Sequence, residues 1–110
     1  MEELKILQKT YDMMQYLHQA LQQYPKSEKH NLAADTKLAA YELLRLFITA
    51  NKRYYKKTTM QDADIQLDLL RHLIRLGHDL RFMSPKKYEV LSCMTTEIGK
   101  MLGGWMRAAQ

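Results

Sequence analysis

Cysteine, proline and glycine are all scarce in this chain. The single cysteine, Cys93, excludes an intrachain disulfide framework and a cysteine-based zinc site. Two prolines and four glycines in 110 residues leave little of the punctuation that separates strands and hairpins. No apolar run approaches the roughly 20 residues that span a bilayer. The amino terminus, Met1, Glu2 and Glu3, is acidic where an export signal would be basic. These absences predict a chain that is neither exported nor membrane-embedded, and a cytoplasmic location. Metal-ligand spacing is missing too. His30, His72 and His78 form no paired set, and His18 reads as a hydrogen-bonded core histidine. No metal, cofactor or small-molecule substrate is expected.

Helix formers fill the gap. The chain is 46% hydrophobic and 26% charged, the composition of one globular domain with a single core. It is rich in Leu, Ala, Met, Gln, Lys and Glu, which lose least on entering a helix. Seventeen Lys and Arg against twelve Asp and Glu give a formal charge of +5, a bias towards acidic or phosphate-rich partners.

Apolar periodicity divides the chain into four helices. In the first, over about 3–23, Leu4, Leu7, Tyr11, Met14, His18 and Leu21 recur at spacings of three and four, with Leu17 and Tyr24 widening the stripe. Pro25 ends it, and Ser27 with Glu28 suits the start of a second helix over about 28–53. There Leu32, Ala39, Leu43, Leu46 and Ala50 share a face, flanked by Leu38, Leu44, Phe47 and Ile48. A third helix over about 61–82 carries Ile65, Leu69, Leu70, Leu73, Ile74, Leu76 and Leu80, with Thr59 as its cap and Asp62 and Asp64 near its positive end. Ser84 and Pro85 mark the start of a fourth, over about 85–108, with a stripe of Tyr88, Leu91, Thr95, Ile98, Leu102 and Trp105. The expected fold is all-α, an antiparallel up-down four-helix bundle making one domain of residues 1–110. Stripes on the last three helices are wider than one seam requires, which points to burial against another subunit.

Three sets of residues stand out. Between Asn51 and Met60 the periodicity stops, and Lys52, Arg53, Tyr54, Tyr55, Lys56 and Lys57 combine phosphate-neutralising charge with rings able to stack on unpaired bases. Tyrosines at a helix end also pack against their own bundle, so both readings stand. Arg71 and Arg75 lie one turn apart, able to fork onto phosphate oxygens or carboxylates. The plain alternative is a solvated face with an Asp68 to Arg71 pair. Gly99 and Gly103, four apart in the fourth helix with Gly104 adjacent, each cost roughly 0.5 to 1 kcal/mol relative to alanine. Close approach of a neighbouring helix, within the bundle or across a subunit boundary anchored by Trp105, would offset that cost. Gly77 invites the same packing explanation.

The segment PKSEKHNLAADTKLAAYELL, Pro25 to Leu44, resembles the four-helix-bundle proteins first named from 23S ribosomal RNA intervening sequences. MSPKKYEVLSCMTTEIGKMLGGWMRA, Met83 to Ala108, narrows this, and with Leu70, Arg71, Leu73 and Arg75 it resembles the accessory variability determinants of diversity-generating retroelements. The resemblance implies a bacterial or phage-encoded, non-enzymatic homopentamer of bundles around a central channel. It also implies a basic surface that engages a reverse transcriptase and RNA or DNA, with Arg71 and Arg75 as contacts. Two other classes remain open. Arg71 and His78, seven apart, fit the loose arginine-histidine pattern of HEPN ribonucleases. A structural homo-oligomer with no nucleic-acid role is the third reading.

Overall fold

The two proline signals fall where the helices break. The computed structural model describes residues 2–109, with side chains from Lys5 onward, as α1 (Glu2–Leu21), the single turn α2 (Lys26–Lys29), α3 (Leu32–Lys52), α4 (Lys57–Asp79) and α5 (Pro85–Ala108). No strand occurs among the described residues. α1 packs on α3 and α5, and α4 packs on α3 and α5, so the four long helices close a ring. Neighbours are antiparallel. Thr96 and Tyr88 of α5 meet Arg71 and His78 of α4, one number falling as the other rises. Between α3 and α4, Arg53 meets Thr59 and Ala39 meets Gln66. These features make an all-helical four-helix bundle, 43 Å along its longest axis.

The start of α5 follows its sequence signal. Ser84 Oγ accepts from the Lys87 amide at 3.2 Å, and Pro85 takes the first helical position, where its missing N–H costs nothing. Leu91, Thr95, Ile98, Leu102 and Trp105 are buried as the spacing predicts.

The second helix differs from expectation. Instead of running from 28 to 53 it is interrupted between α2 and α3. Ser27 is not its side-chain cap. The Asn31 side-chain amide donates to the Ser27 carbonyl at 2.8 Å, competing with the backbone for that acceptor, and Glu28 Oε1 accepts from the Leu32 amide at 3.5 Å.

α4 begins four residues earlier than expected and ends three earlier. Its start leaves Thr59 inside the helix and Asp62 and Asp64 beyond the first turn, which holds no acidic residue. Its end is a Schellman turn, with Arg81 in the left-handed region at φ 66°. The Phe82 amide donates to the Gly77 carbonyl at 2.9 Å, and the Arg81 amide to the His78 carbonyl at 2.9 Å.

The core registers of α1 and α4 also shift from the sequence reading. α1 buries Ile6, Thr10, Met13, Leu17, Ala20 and Leu21, and Tyr24 is buried just beyond it, while Tyr11 is 54% exposed and His18 sits at the edge, bonded to the Tyr41 hydroxyl at 2.9 Å. Leu4 lies outside the residues whose side chains are described. α4 buries Met60, Ala63, Leu67, Leu70, Ile74 and Gly77. Leu73 is half-buried against this core, whereas Ile65, Leu69, Leu76 and, at the C-cap, Leu80 are exposed. Phe47 of α3, expected on a flank, is fully buried. The buried threonines are compatible with this core because Thr10, Thr36 and Thr95 each donate to the carbonyl four residues back, at 2.7, 2.7 and 2.9 Å.

Candidate binding surfaces

The loop between α3 and α4 is shorter than its sequence suggests, because only residues 53–56 lie outside the helices. Its basic residues divide into two groups. Lys56 turns back and donates from Nζ to the carbonyls of Ala50, at 2.7 Å, Asn51 and Arg53. The last carbonyls of a helix lack intrahelical donors and carry partial negative charge, so this ammonium caps α3. Arg53 Nη1 donates to Thr59 Oγ1 at 3.1 Å, tying the loop to the first turn of α4. Lys52 and Lys57 remain exposed. Among the described residues none of the four is in an ion pair with a carboxylate. Tyr54 and Tyr55 are 88% and 85% exposed, their rings edge to face at 4.8 Å. The alternative that these tyrosines pack on the bundle does not hold. Arg107, also exposed, lies in the last turn of α5 at the same end, where Met106 and Ala109 meet Lys57 and Met60.

Arg71 and Arg75 do share a face. They line a groove of about 320 Å³ between α4 and α5 with Asp68, His72, Tyr88, Ser92 and Thr95. In place of the Asp68 to Arg71 pair of the plain alternative there are two other interactions. Arg71 Nη2 donates to Thr96 Oγ1 of α5 at 3.2 Å, and Asp68 faces His72, whose Nδ1 lies 2.8 Å from the Asp68 carbonyl. Arg75 pairs with Asp79 at 3.5 Å, an exposed contact one turn on. Both guanidinium groups keep donors facing solvent. The contributions of Tyr88, Ser92 and Thr96 were not legible in the sequence, because they come from another helix.

Arg71 and His78 are not brought to one recess. The His78 ring stacks on Tyr88 at 4.4 Å and its Nδ1 contacts Asp79 Oδ1 at 3.2 Å. It borders a separate depression with Gln23, Phe82 and Pro85 at the end of the bundle. Among the described residues no group of three His, Cys, Asp or Glu is placed to hold a metal. No described helix is long and apolar enough to cross a membrane.

A close approach within the bundle is found at Gly77 and not at Gly99 or Gly103. A Cβ on Gly77 would overlap the Tyr24 ring, so that glycine permits close packing of the segment after α1 on α4. Gly99 has only an ordinary contact, Leu67 Cδ2 at 3.5 Å, and Gly103 only Arg107 Nη1 at 3.5 Å. Nothing among the described residues requires either to be glycine. Trp105 is 6% exposed and packs in the bundle's own core. Outside the loop, the exposed large apolar residues among those described are Tyr11 on α1, Leu38, Tyr41 and Ile48 on α3, and Ile65, Leu69 and Leu76 on α4 with Leu80 at its C-cap.

Fold and surface together define a basic helical bundle with a cationic loop and an arginine-bearing groove. A family model described as bAvd-like matches residues 4–109, and the chain belongs to that family, in agreement with an accessory variability determinant. No curated protein matches the chain.

Proposed function

We propose that this chain is a non-catalytic accessory protein of a diversity-generating retroelement, binding its reverse transcriptase and template nucleic acid to support mutagenic copying. The observation that carries this reading is the family match over nearly the whole chain, residues 4–109. The surface supports it. Arg71 and Arg75 present guanidinium donors from a groove between rigid helices, suited to forking onto carboxylates or phosphates. Self-association belongs to the same reading. The apolar residues left open on α3 and α4, Leu38, Ile65, Leu69, Leu76 and Leu80, form the kind of surface that subunits bury, and the pentamer implied by the resemblance supplies the number.

Co-expression with the reverse transcriptase of the same element tests the proposal. Wild type is expected to co-purify with the enzyme and the Arg71→Ala, Arg75→Ala variant to lose most of that association while keeping its helicity. Retention at wild-type levels by the double variant would remove the groove from the interface, and no co-purification of wild type would defeat the accessory reading.

A further inference from the structure

We infer that the α3–α4 loop is a preformed platform for single-stranded nucleic acid, on which unpaired bases stack against Tyr54 and Tyr55 while Lys52 and Lys57 meet the flanking phosphates. This deepens the proposed accessory role by assigning it a strand type and a surface separate from the arginine groove. The division of labour within the loop is the evidence. Lys56 and Arg53 are spent on holding the loop to the ends of α3 and α4, so the turn is fixed from inside by charged hydrogen bonds. Rings held on such a turn lose little further freedom on binding.

Tyr54 and Tyr55 are among the most exposed large apolar side chains of the described residues and contribute nothing to the core. Placing two adjacent aromatic rings in water has no stabilising return within the bundle. Their edge-to-face contact at 4.8 Å and 82° leaves no slot between them, which excludes a base inserted between the rings. A base stacks instead on an outward ring face, an interaction open to every base and therefore tolerant of sequence. Paired bases inside a duplex offer no such faces, so the platform selects single strands. Charge agrees with this. Lys52 and Lys57 flank the rings without carboxylate partners among the described residues, and α4 starts without an acidic residue in its first turn. In an oligomer one loop from each subunit would meet a long strand, multiplying a weak contact.

Fluorescence anisotropy of labelled oligo(dT), oligo(U) and a blunt DNA duplex, titrated with the full chain, tests the platform. Wild type should bind the single strands more tightly than the duplex, with affinity falling as salt rises. Tyr54→Ala, Tyr55→Ala should weaken single-strand binding on the order of ten- to hundredfold. It should leave duplex binding and co-purification with the reverse transcriptase unchanged. Tyr54→Phe, Tyr55→Phe should keep single-strand binding, because the ring face is retained. Lys52→Gln, Lys57→Gln should weaken all three ligands and flatten the salt dependence. Wild-type affinity for oligo(dT) in the double-alanine variant, or equal loss for single strand and duplex, would overturn the proposal. Binding of the reverse transcriptase without binding of any oligonucleotide would also overturn it while leaving the reverse-transcriptase part of the proposed role intact. Oligonucleotide binding without the enzyme would do the reverse.

Discussion

The ring of Tyr24 lies directly over Gly77, so closely that a Cβ on Gly77 would overlap Tyr24 Oη and stand 2.8 Å from its Cζ. This contact clamps the segment after α1 onto the last turns of α4, and the Phe82 ring packs against the Tyr24 ring at a separation of 5.6 Å. Gly77→Ala is expected to destabilise the fold by about 1 to 3 kcal/mol, the usual cost of overpacking a core. Tyr24→Phe removes the nearest overlapping atom, so Gly77→Ala should cost less in that background. Chemical denaturation of the two single variants and the double variant checks this, since residues in contact give a non-additive cycle.

The same hydroxyl makes stability depend on alkaline pH. Tyr24 Oη has no hydrogen-bond partner among the described residues, and burial pushes the phenol from its usual 10 up to about 12. An unfolded chain releases this proton near pH 10, whereas the folded chain keeps it until about 12. The stability tied to this proton is therefore fully present below pH 10 and lost as pH rises to about 12, a loss on the order of 2 to 3 kcal/mol. Urea denaturation at pH 9 and pH 11 should show about half of that loss in wild type, about 1.3 kcal/mol, because the folded phenol is still largely protonated at pH 11. Tyr24→Phe should show a smaller fall, because every other titrating group is shared.

Arg81 offers a gain in stability. It occupies the left-handed position of the turn that ends α4, where a Cβ costs roughly 1 to 2 kcal/mol and glycine costs none. Arg81→Gly is expected to raise the thermal midpoint, with a net gain of about 1 kcal/mol after the added freedom of the unfolded chain is counted. A lowered midpoint would show that the arginine side chain contributes more than its backbone conformation costs.

The fold was largely legible because helix starts, helix stops and apolar spacing agree with one another. α5 shows this best, its capping serine, following proline and single stripe leaving one solution. α1 and α4 were less legible because each carries two overlapping stripes. In α1 the core positions include Thr10 and Ala20, which weigh little in a hydropathy count, while Tyr11 and His18 weigh more and lie outside. In α4 the stripe of Ile65, Leu69, Leu76 and Leu80 competes with the one that faces the core. A sequence cannot rank the two until neighbouring helices are placed.

The surfaces divide the same way. Arg71 and Arg75 were visible as a pair one turn apart, but the α5 side of their groove was not. The loop was visible as a cluster of charge and rings, yet Lys56 reads the same as Lys57 until the end of α3 is seen to fall beneath its ammonium. Trp105 stood out in the sequence because it adjoins Gly103 and Gly104, and its burial in the bundle's own core was visible only once the helices were packed.

Reverse transcription of the element's own template RNA by its own enzyme, measured as cDNA yield with and without this chain, tests the accessory role most directly. Purified wild type should raise the yield in proportion to its binding of the enzyme, and Arg71→Ala, Arg75→Ala should raise it much less. A yield that stays the same at saturating concentrations of the folded wild-type chain would contradict the account.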